Sequence, residues 1–116
     1  MSKICYSYEA EQDFLDIKSY YEIELQNLAA SVKILSEITQ RIRTLEDFPR
    51  SGRKLSAIID METNYRFLGC GNYLAFYRVD GDNVFIGRVI HKRRDYIAIL
   101  FGMLPQDQDS WSDEDA

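Results

Sequence analysis

The spacing of apolar residues predicts two amphipathic helices in the first half of the chain. Apolar side chains recur at steps of three or four in two runs, which places each run on one helix face. The first run comprises Ala10, Phe14, Ile17, Tyr21, Leu25 and Leu28, and the second comprises Val32, Leu35, Ile38, Ile42 and Leu45. Because little sequence separates the runs, we expect them to fold back as an antiparallel hairpin.

A capping serine, a proline and a glycine mark where the two predicted helices begin and end. Ser7 can cap the first helix, and Pro49 and Gly52 stop the second. Residues 4–6 are a candidate first strand. Residues 50–64 show no consistent period, so they indicate a loop or an irregular strand that crosses the domain.

Alternating residues in the second half predict an antiparallel meander of three strands. The strands are residues 65–68, 73–79 and 84–90, joined by turns at the sequences GCGN and DGDN. A short helix then follows over residues 95–104, with Tyr96, Ile99, Leu100 and Met103 at helical spacing and Gly102 and Pro105 ending it.

Together these elements predict an α+β domain of two layers. An N-terminal strand and the helix hairpin pack on one face of an antiparallel sheet of about three to four strands, followed by a short C-terminal helix. We expect the other sheet face to stay open, where it can collect Arg66, Arg88 and His91.

Charge is distributed unevenly along the 116 residues, whose net charge is −5. Residues 38–94 hold eleven bases and six acids, whereas residues 95–116 hold six acids and no base. We therefore interpret residues 1–105 as a single domain with a basic body and residues 106–116 as an acidic, disordered tail. The tail either keeps the protein soluble or competes with an anionic target for the basic surface.

Composition also narrows the classes of protein that the chain can represent. No stretch is apolar enough for a signal peptide or a membrane span, so we expect a cytoplasmic protein with no membrane partner. Cys5 and Cys70 should be reduced there. Two cysteines without clustered histidines make no zinc site, and we expect no metal and no cofactor.

Several blocks in one order carry a resemblance to a known family. The strand, the helix hairpin, PRSGR, a strand beginning YR, GNYLAFYRV and VFIGRVIHKRRDY resemble the RelE/ParE superfamily of bacterial type II toxins over residues 4–104. The resemblance implies a growth-inhibiting toxin of the kind associated with plasmid stabilisation, encoded with an antitoxin that wraps and neutralises it. The target would be either DNA gyrase or, in the nuclease branch, messenger RNA on the ribosome.

The nuclease alternative requires cationic groups and proton-transfer groups in one pocket. Arg66, Arg93 or Arg94 could hold phosphate, and His91 or Tyr96 could move protons. Resemblance to the nuclease branch would imply an Arg just after the aromatic residue that opens the central strand, but this chain has Leu74 there. Leu74 cannot stabilise a phosphorane, so the residues lean towards the ParE branch and gyrase.

A wider basic patch is the candidate surface for binding a target or a phosphate group: Arg50, Arg53, Lys54, Arg88, Lys92 and Arg93. Ordinary structural roles compete with each assignment. Arg66 and Arg88 could form cross-strand ion pairs with an acid such as Glu62. Arg93 and Arg94 could flank a last helix capped by Asp95, and His91 could serve only as a hydrogen-bonding group. A scaffold-like relative that has lost toxicity is a third interpretation.

Overall fold

A five-stranded sheet with helices on both faces organises the computed structural model, which describes residues 1–102. The strands are β1 (Lys3–Tyr6), β2 (Arg53–Lys54), β3 (Arg66–Cys70), β4 (Tyr73–Asp80) and β5 (Asn83–His91), and the helices are α1 (Tyr8–Ser19), α2 (Leu28–Arg43) and α3 (Tyr96–Phe101). The tail predicted at residues 106–116 lies outside the described residues. The predicted α+β class, with a helix hairpin before the meander, is confirmed.

The sheet differs in two details from the expected antiparallel sheet of three to four strands. Its order is β1-β5-β4-β3-β2, and β1 pairs with β5 in parallel, which makes the sheet mixed. The fifth strand comes from the segment without a period, where Arg53 pairs with Phe67 and Lys54 with Arg66. Two residues are too few to produce a periodic sequence pattern.

The helix hairpin begins and turns at polar caps. Ser7 Oγ accepts a hydrogen bond from the Ala10 N–H at 3.0 Å, as predicted, and donates one to the Gly87 carbonyl at 2.7 Å. The chain leaves α1 through a π-helical turn (Tyr20–Glu24), and Asn27 then caps α2.

Part of the two predicted apolar stripes is wrong. Ala10 and Ile17 are buried, but Leu25, Leu28 and Val32 are each at least half exposed. The first stripe assumed an unbroken period of 3.6 residues, whereas the π-helical turn adds a residue and rotates Leu25 away from the core. Leu28 and Val32 lie at the start of α2, whose buried apolar residues, Ile38 and Ile42, come later in the helix.

Both faces of the sheet are covered, so the expected open face is also wrong. The larger core lies beneath the hairpin and includes Ile38, Ile42, Ala75, Tyr77 and Ile86. On the opposite face, Leu55, Phe76 and Ile90 form a second core, against which the partly buried side chains of Leu74, Tyr96, Ile97 and Leu100 pack. Residues of α3 supply this cover because its apolar face needs a surface to bury.

A buried ion pair joins α1 to β5. The Asp13 side chain accepts hydrogen bonds from Arg88 Nε and a terminal Arg88 nitrogen, each at 2.8 Å, and from the Val89 N–H at 2.9 Å. Asp13 is only 6% exposed. The hydrogen bond to Asp13 raises the pKa of Arg88, so this guanidinium is charged at neutral pH.

The free energy of unfolding should respond strongly to loss of this carboxylate. We expect Asp13→Ala to lower it by about 2–4 kcal/mol, because a partly buried guanidinium and the Val89 N–H lose their acceptor. Asp16→Ala is the matched control, since Asp16 is exposed on the same helix and should cost less than about 0.5 kcal/mol. Urea unfolding followed by circular dichroism measures both, and equal losses would contradict the assigned role.

Candidate functional site

The site residues predicted from the sequence fall into two separate basic surfaces. Arg66 pairs with Tyr77 across β4, whereas His91 pairs with Tyr73 on the other side of that strand. Four residues along a strand correspond to about 13 Å, and two strand spacings add to the separation. The structure therefore brings His91 and Arg94 together but leaves Arg66 apart from them.

The first surface, the arginine groove, lies where the loop before β2 meets the start of β3. Its cavity of about 430 Å³ is lined by Arg50, Lys54, Glu62, Tyr65 and Arg66, among others. The exposed side chains of Arg50 and Lys54 make it basic. Arg53 lies next to it on β2, with its guanidinium 5.6 Å from the centre of the Phe67 ring.

Arg66 holds the loop that forms this groove. One terminal nitrogen of its guanidinium donates to the carbonyls of Arg50 at 3.2 Å and Gly52 at 2.8 Å. These are main-chain partners, so the ion pair with an acid that was one interpretation of Arg66 does not occur among the described residues. Its charge is left without a carboxylate partner there.

Gly52 fixes the same loop from the other side. Its N–H donates to the buried Tyr77 hydroxyl at 2.9 Å. A Cβ atom at this position would lie 2.5 Å from that hydroxyl and 2.7 Å from the Phe67 carbonyl. Burial raises the pKa of Tyr77, so its hydroxyl keeps its proton at neutral pH. The PRSGR loop can approach the sheet this closely only because Gly52 has no side chain.

The second surface, the histidine end, lies where β5 finishes beside the π-helical turn. A cavity of about 530 Å³ there is lined by His91, Arg93, Arg94, Asp16, Tyr20, Tyr21 and Tyr73, among others. Three consecutive cations, Lys92, Arg93 and Arg94, are exposed around it. The site thus combines aromatic walls with a cationic rim.

Local hydrogen bonds set the position of His91. Its Nδ1 accepts from the Arg93 N–H at 3.1 Å, and its ring meets Tyr73 edge to face with centroids 5.1 Å apart. The Lys92 N–H donates to the Asn72 carbonyl at 3.0 Å, which ties this turn to the turn before β4. Burial and the neighbouring Tyr21 hydroxyl raise the pKa of Tyr73, so this phenol is a poor acid.

Two further predicted residues have structural partners. Tyr96 packs its ring on Phe76, with centroids 5.3 Å apart, in the second core. Arg88 is held by Asp13, an acid on a helix, whereas the interpretation from sequence was a cross-strand pair. Asp95 caps α3 as predicted, accepting from the Ala98 N–H at 3.3 Å.

The apolar surface of the helix hairpin was missed in the sequence. We call the exposed side chains of Leu15, Tyr20, Ile23, Leu25, Leu28 and Val32 the hairpin apolar surface; each is between 49% and 66% exposed. A groove of about 450 Å³ beside Leu15 is lined also by Tyr6, Phe14 and Thr39. Leu15 and Ile23 fall off the predicted stripe, and that departure was the available signal.

Neither a metal cluster nor a spanning helix is found within residues 1–102. No group of three or more His, Cys, Asp or Glu side chains there could hold a metal ion. None of the described helices is long and apolar enough to cross a membrane. Cys5 and Cys70 are free thiols, and burial raises the pKa of Cys70 to about 11.

Comparisons with known proteins identify a matching family and a similar solved structure. Residues 4–96 match the family described as ParE toxin of type II toxin-antitoxin system, parDE. A similar solved structure, described as the chromosomal ParDE TA system from P. aeruginosa, aligns with a TM-score of 0.66 at 19% sequence identity. That alignment covers 78% of this chain and 96% of that one. No curated protein matches the sequence.

Gly52 allows a test of how the arginine groove is built. We expect Gly52→Ala to lower the free energy of unfolding by about 1–3 kcal/mol, because the added methyl overlaps Tyr77 and the backbone of β3. Gly69→Ala is the matched control, since a Cβ there meets nothing within 4 Å. Urea unfolding measures the free energy of unfolding of both variants. An unchanged value for Gly52→Ala would show that the loop is not fixed in this way.

Proposed function

Because the chain belongs to the ParE toxin family of type II toxin-antitoxin systems, we propose that it inhibits growth by binding DNA gyrase and is neutralised by a cognate antitoxin. The cellular site of action is then the cytoplasm, where gyrase acts. The observation that carries the choice of gyrase is the separation of Arg66 from His91 and Arg94 on opposite sides of β4.

This separation disfavours catalysis on RNA. Cleavage at a 2′-hydroxyl requires a proton acceptor, a phosphate clamp and a proton donor within hydrogen-bonding reach of one phosphate. Here Arg66 donates to loop carbonyls, Tyr96 packs on Phe76, and Leu74 packs against the second core. Inhibition by binding a protein needs no such convergence.

The histidine end is the surface that we assign to the target. Arg93 and Arg94 project from a turn held by hydrogen bonds at both ends, beside a cavity with three tyrosines. Aromatic and Arg side chains are the residues most enriched where protein interfaces carry their binding energy. The exposed cations would meet an acidic region of the partner.

The hairpin apolar surface is the one that we assign to the antitoxin. Contiguous exposed apolar area on a folded chain usually marks a partner's binding site. An amphipathic helix can lay its apolar face on such a groove. Since the histidine end lies beside the same π-helical turn, an antitoxin seated here would also hinder access to the target surface.

The alternative is ribosome-dependent cleavage of messenger RNA. One observation favours it: His91 shares its cavity with Arg93 and Arg94, so one ionisable ring and two cations do lie together. In that case His91 would transfer the proton and the arginines would hold the phosphate, without Arg66 or Tyr96.

Inhibition of DNA supercoiling by purified gyrase tests the target assignment. We expect the native chain to inhibit and Arg93→Glu/Arg94→Glu to need at least about tenfold more protein, since charge reversal opposes an acidic partner. Lys33→Glu on the exposed face of α2 is the control and should behave as the native chain. No inhibition by the native chain, together with ribosome-dependent RNA cuts that His91→Ala abolishes, would establish the alternative.

Binding of the antitoxin tests the hairpin apolar surface. The probe is the product of an adjacent reading frame that relieves growth arrest when it is co-expressed with this chain. Leu15→Asp/Val32→Asp should weaken its binding at least about tenfold in calorimetry, because a charge enters an apolar contact. Phe48→Asp is the control, since Phe48 is equally exposed but lies outside the hairpin. A stronger effect of the control would place the antitoxin elsewhere.

A further inference from the structure

A second cavity adjoins the arginine groove and extends it towards the end of α3. This cavity, of about 590 Å³, is lined by Tyr65, Arg78, Phe85, Leu100 and Gly102, among others. Tyr65 lines both cavities, so the two are neighbours. We call these two neighbouring cavities together the tail groove.

The tail groove carries more positive than negative charge. Arg50, Lys54, Arg66 and Arg78 line it and form no ion pair within residues 1–102, and Glu9 and Glu62 are the acids that line it. Its fifth cation, Arg88, is already neutralised by Asp13. Arg78 lies with its guanidinium 5.2 Å from the centre of the Phe85 ring, so the wall is aromatic as well as cationic.

The sequence after α3 is complementary to this groove. The described chain ends at Gly102, which itself lines the cavity, and residues 103–116 come directly after it as MLPQDQDSWSDEDA. This segment contains five acids and no base, with Trp111 between Asp109 and Asp113. The acids can form ion pairs with the four cations of the groove. The indole ring of Trp111 can pack on aromatic side chains and form a cation–π contact with Arg.

We propose that residues 106–116 occupy the tail groove of their own chain and mask its cations. Trp111 is nine residues from Gly102, a reach of up to about 30 Å, whereas the groove begins at Gly102 itself. A tether of this kind gives a local concentration in the millimolar range, so an interaction with a dissociation constant well below about 1 mM is largely formed. An anionic partner of Arg50 or Arg78 must then displace the chain's own acidic segment.

The tail groove shares no lining residue with the histidine end or with the six residues of the hairpin apolar surface, although Tyr6 also lines the groove beside Leu15. Occupancy of the tail groove can be measured without gyrase or antitoxin. Trp111 is the only tryptophan of the chain, so its fluorescence reports on this segment alone. The reference for an unbound indole is the free peptide of residues 103–116. Acrylamide quenching of both is measured at low salt and in about 1 M salt, where the Debye length is about 3 Å.

We expect quenching of Trp111 in the native chain to be at least about twofold weaker than in the peptide at low salt, and close to the peptide at high salt. Arg50→Glu/Lys54→Glu and, separately, Arg78→Glu should raise quenching towards the peptide value. The control is Lys3→Glu/Lys33→Glu, which changes net charge by as much as the double groove variant, at exposed positions outside the groove. It should quench as the native chain does.

Three results would overturn the proposal. One is equal quenching of the native chain and the peptide at low salt. Another is an equal effect of the control and the groove variants, which would mean that only net charge matters. The last is protection that disappears on dilution, which would place the segment in the groove of a second copy. Unfolding curves of every variant verify that the fold is retained.

Discussion

The carboxylate of Asp13 is the interaction on which the arrangement of the domain depends. It gathers three donors from β5, two from the Arg88 guanidinium and one from the Val89 backbone, at a point where α1 crosses the sheet. Apolar packing is non-directional and would allow α1 to slide along the sheet. A buried charge that needs all its partners does not allow this. The ion pair therefore fixes the register of α1, and with it the position of the π-helical turn beside His91.

Local sequence signals predicted the elements well, and long-range ones predicted their environment poorly. Ser7 and Asp95 each accept a hydrogen bond from a backbone N–H three residues later, which is why these caps could be predicted from the sequence. Arg88 finds its partner 75 positions away on a helix. The alternation in β4 was equally visible, but whether the side holding Leu74 and Phe76 faces water or α3 depends on where the chain returns. The sequence of a short helix such as α3 does not show which face of the sheet the helix will cover.

The candidate site shows the same division. The resemblance identified the family through the order of short blocks, and it drew attention to both basic surfaces. It did not show that Arg66 is engaged with loop carbonyls or that Tyr96 belongs to a core, because residue type alone does not reveal a side chain's partner. The hairpin apolar surface was missed for a different reason. Leu15 and Ile23 lie off the predicted stripe, and Leu25 was placed on it only because its period was assumed to continue through the π-helical turn.

The cover over the second face of the sheet also limits how this protein can evolve. Leu74 lies on β4 and packs against the cluster that holds Phe76, Ile90 and Tyr96. A substitution to arginine at that position would place a charge among apolar side chains and would compete with α3 for the same face. An arginine at this position therefore requires two coordinated changes, the new cation and the displacement of α3. A chain with only the first change would be less stable than the present one, so α3 is a barrier to that substitution.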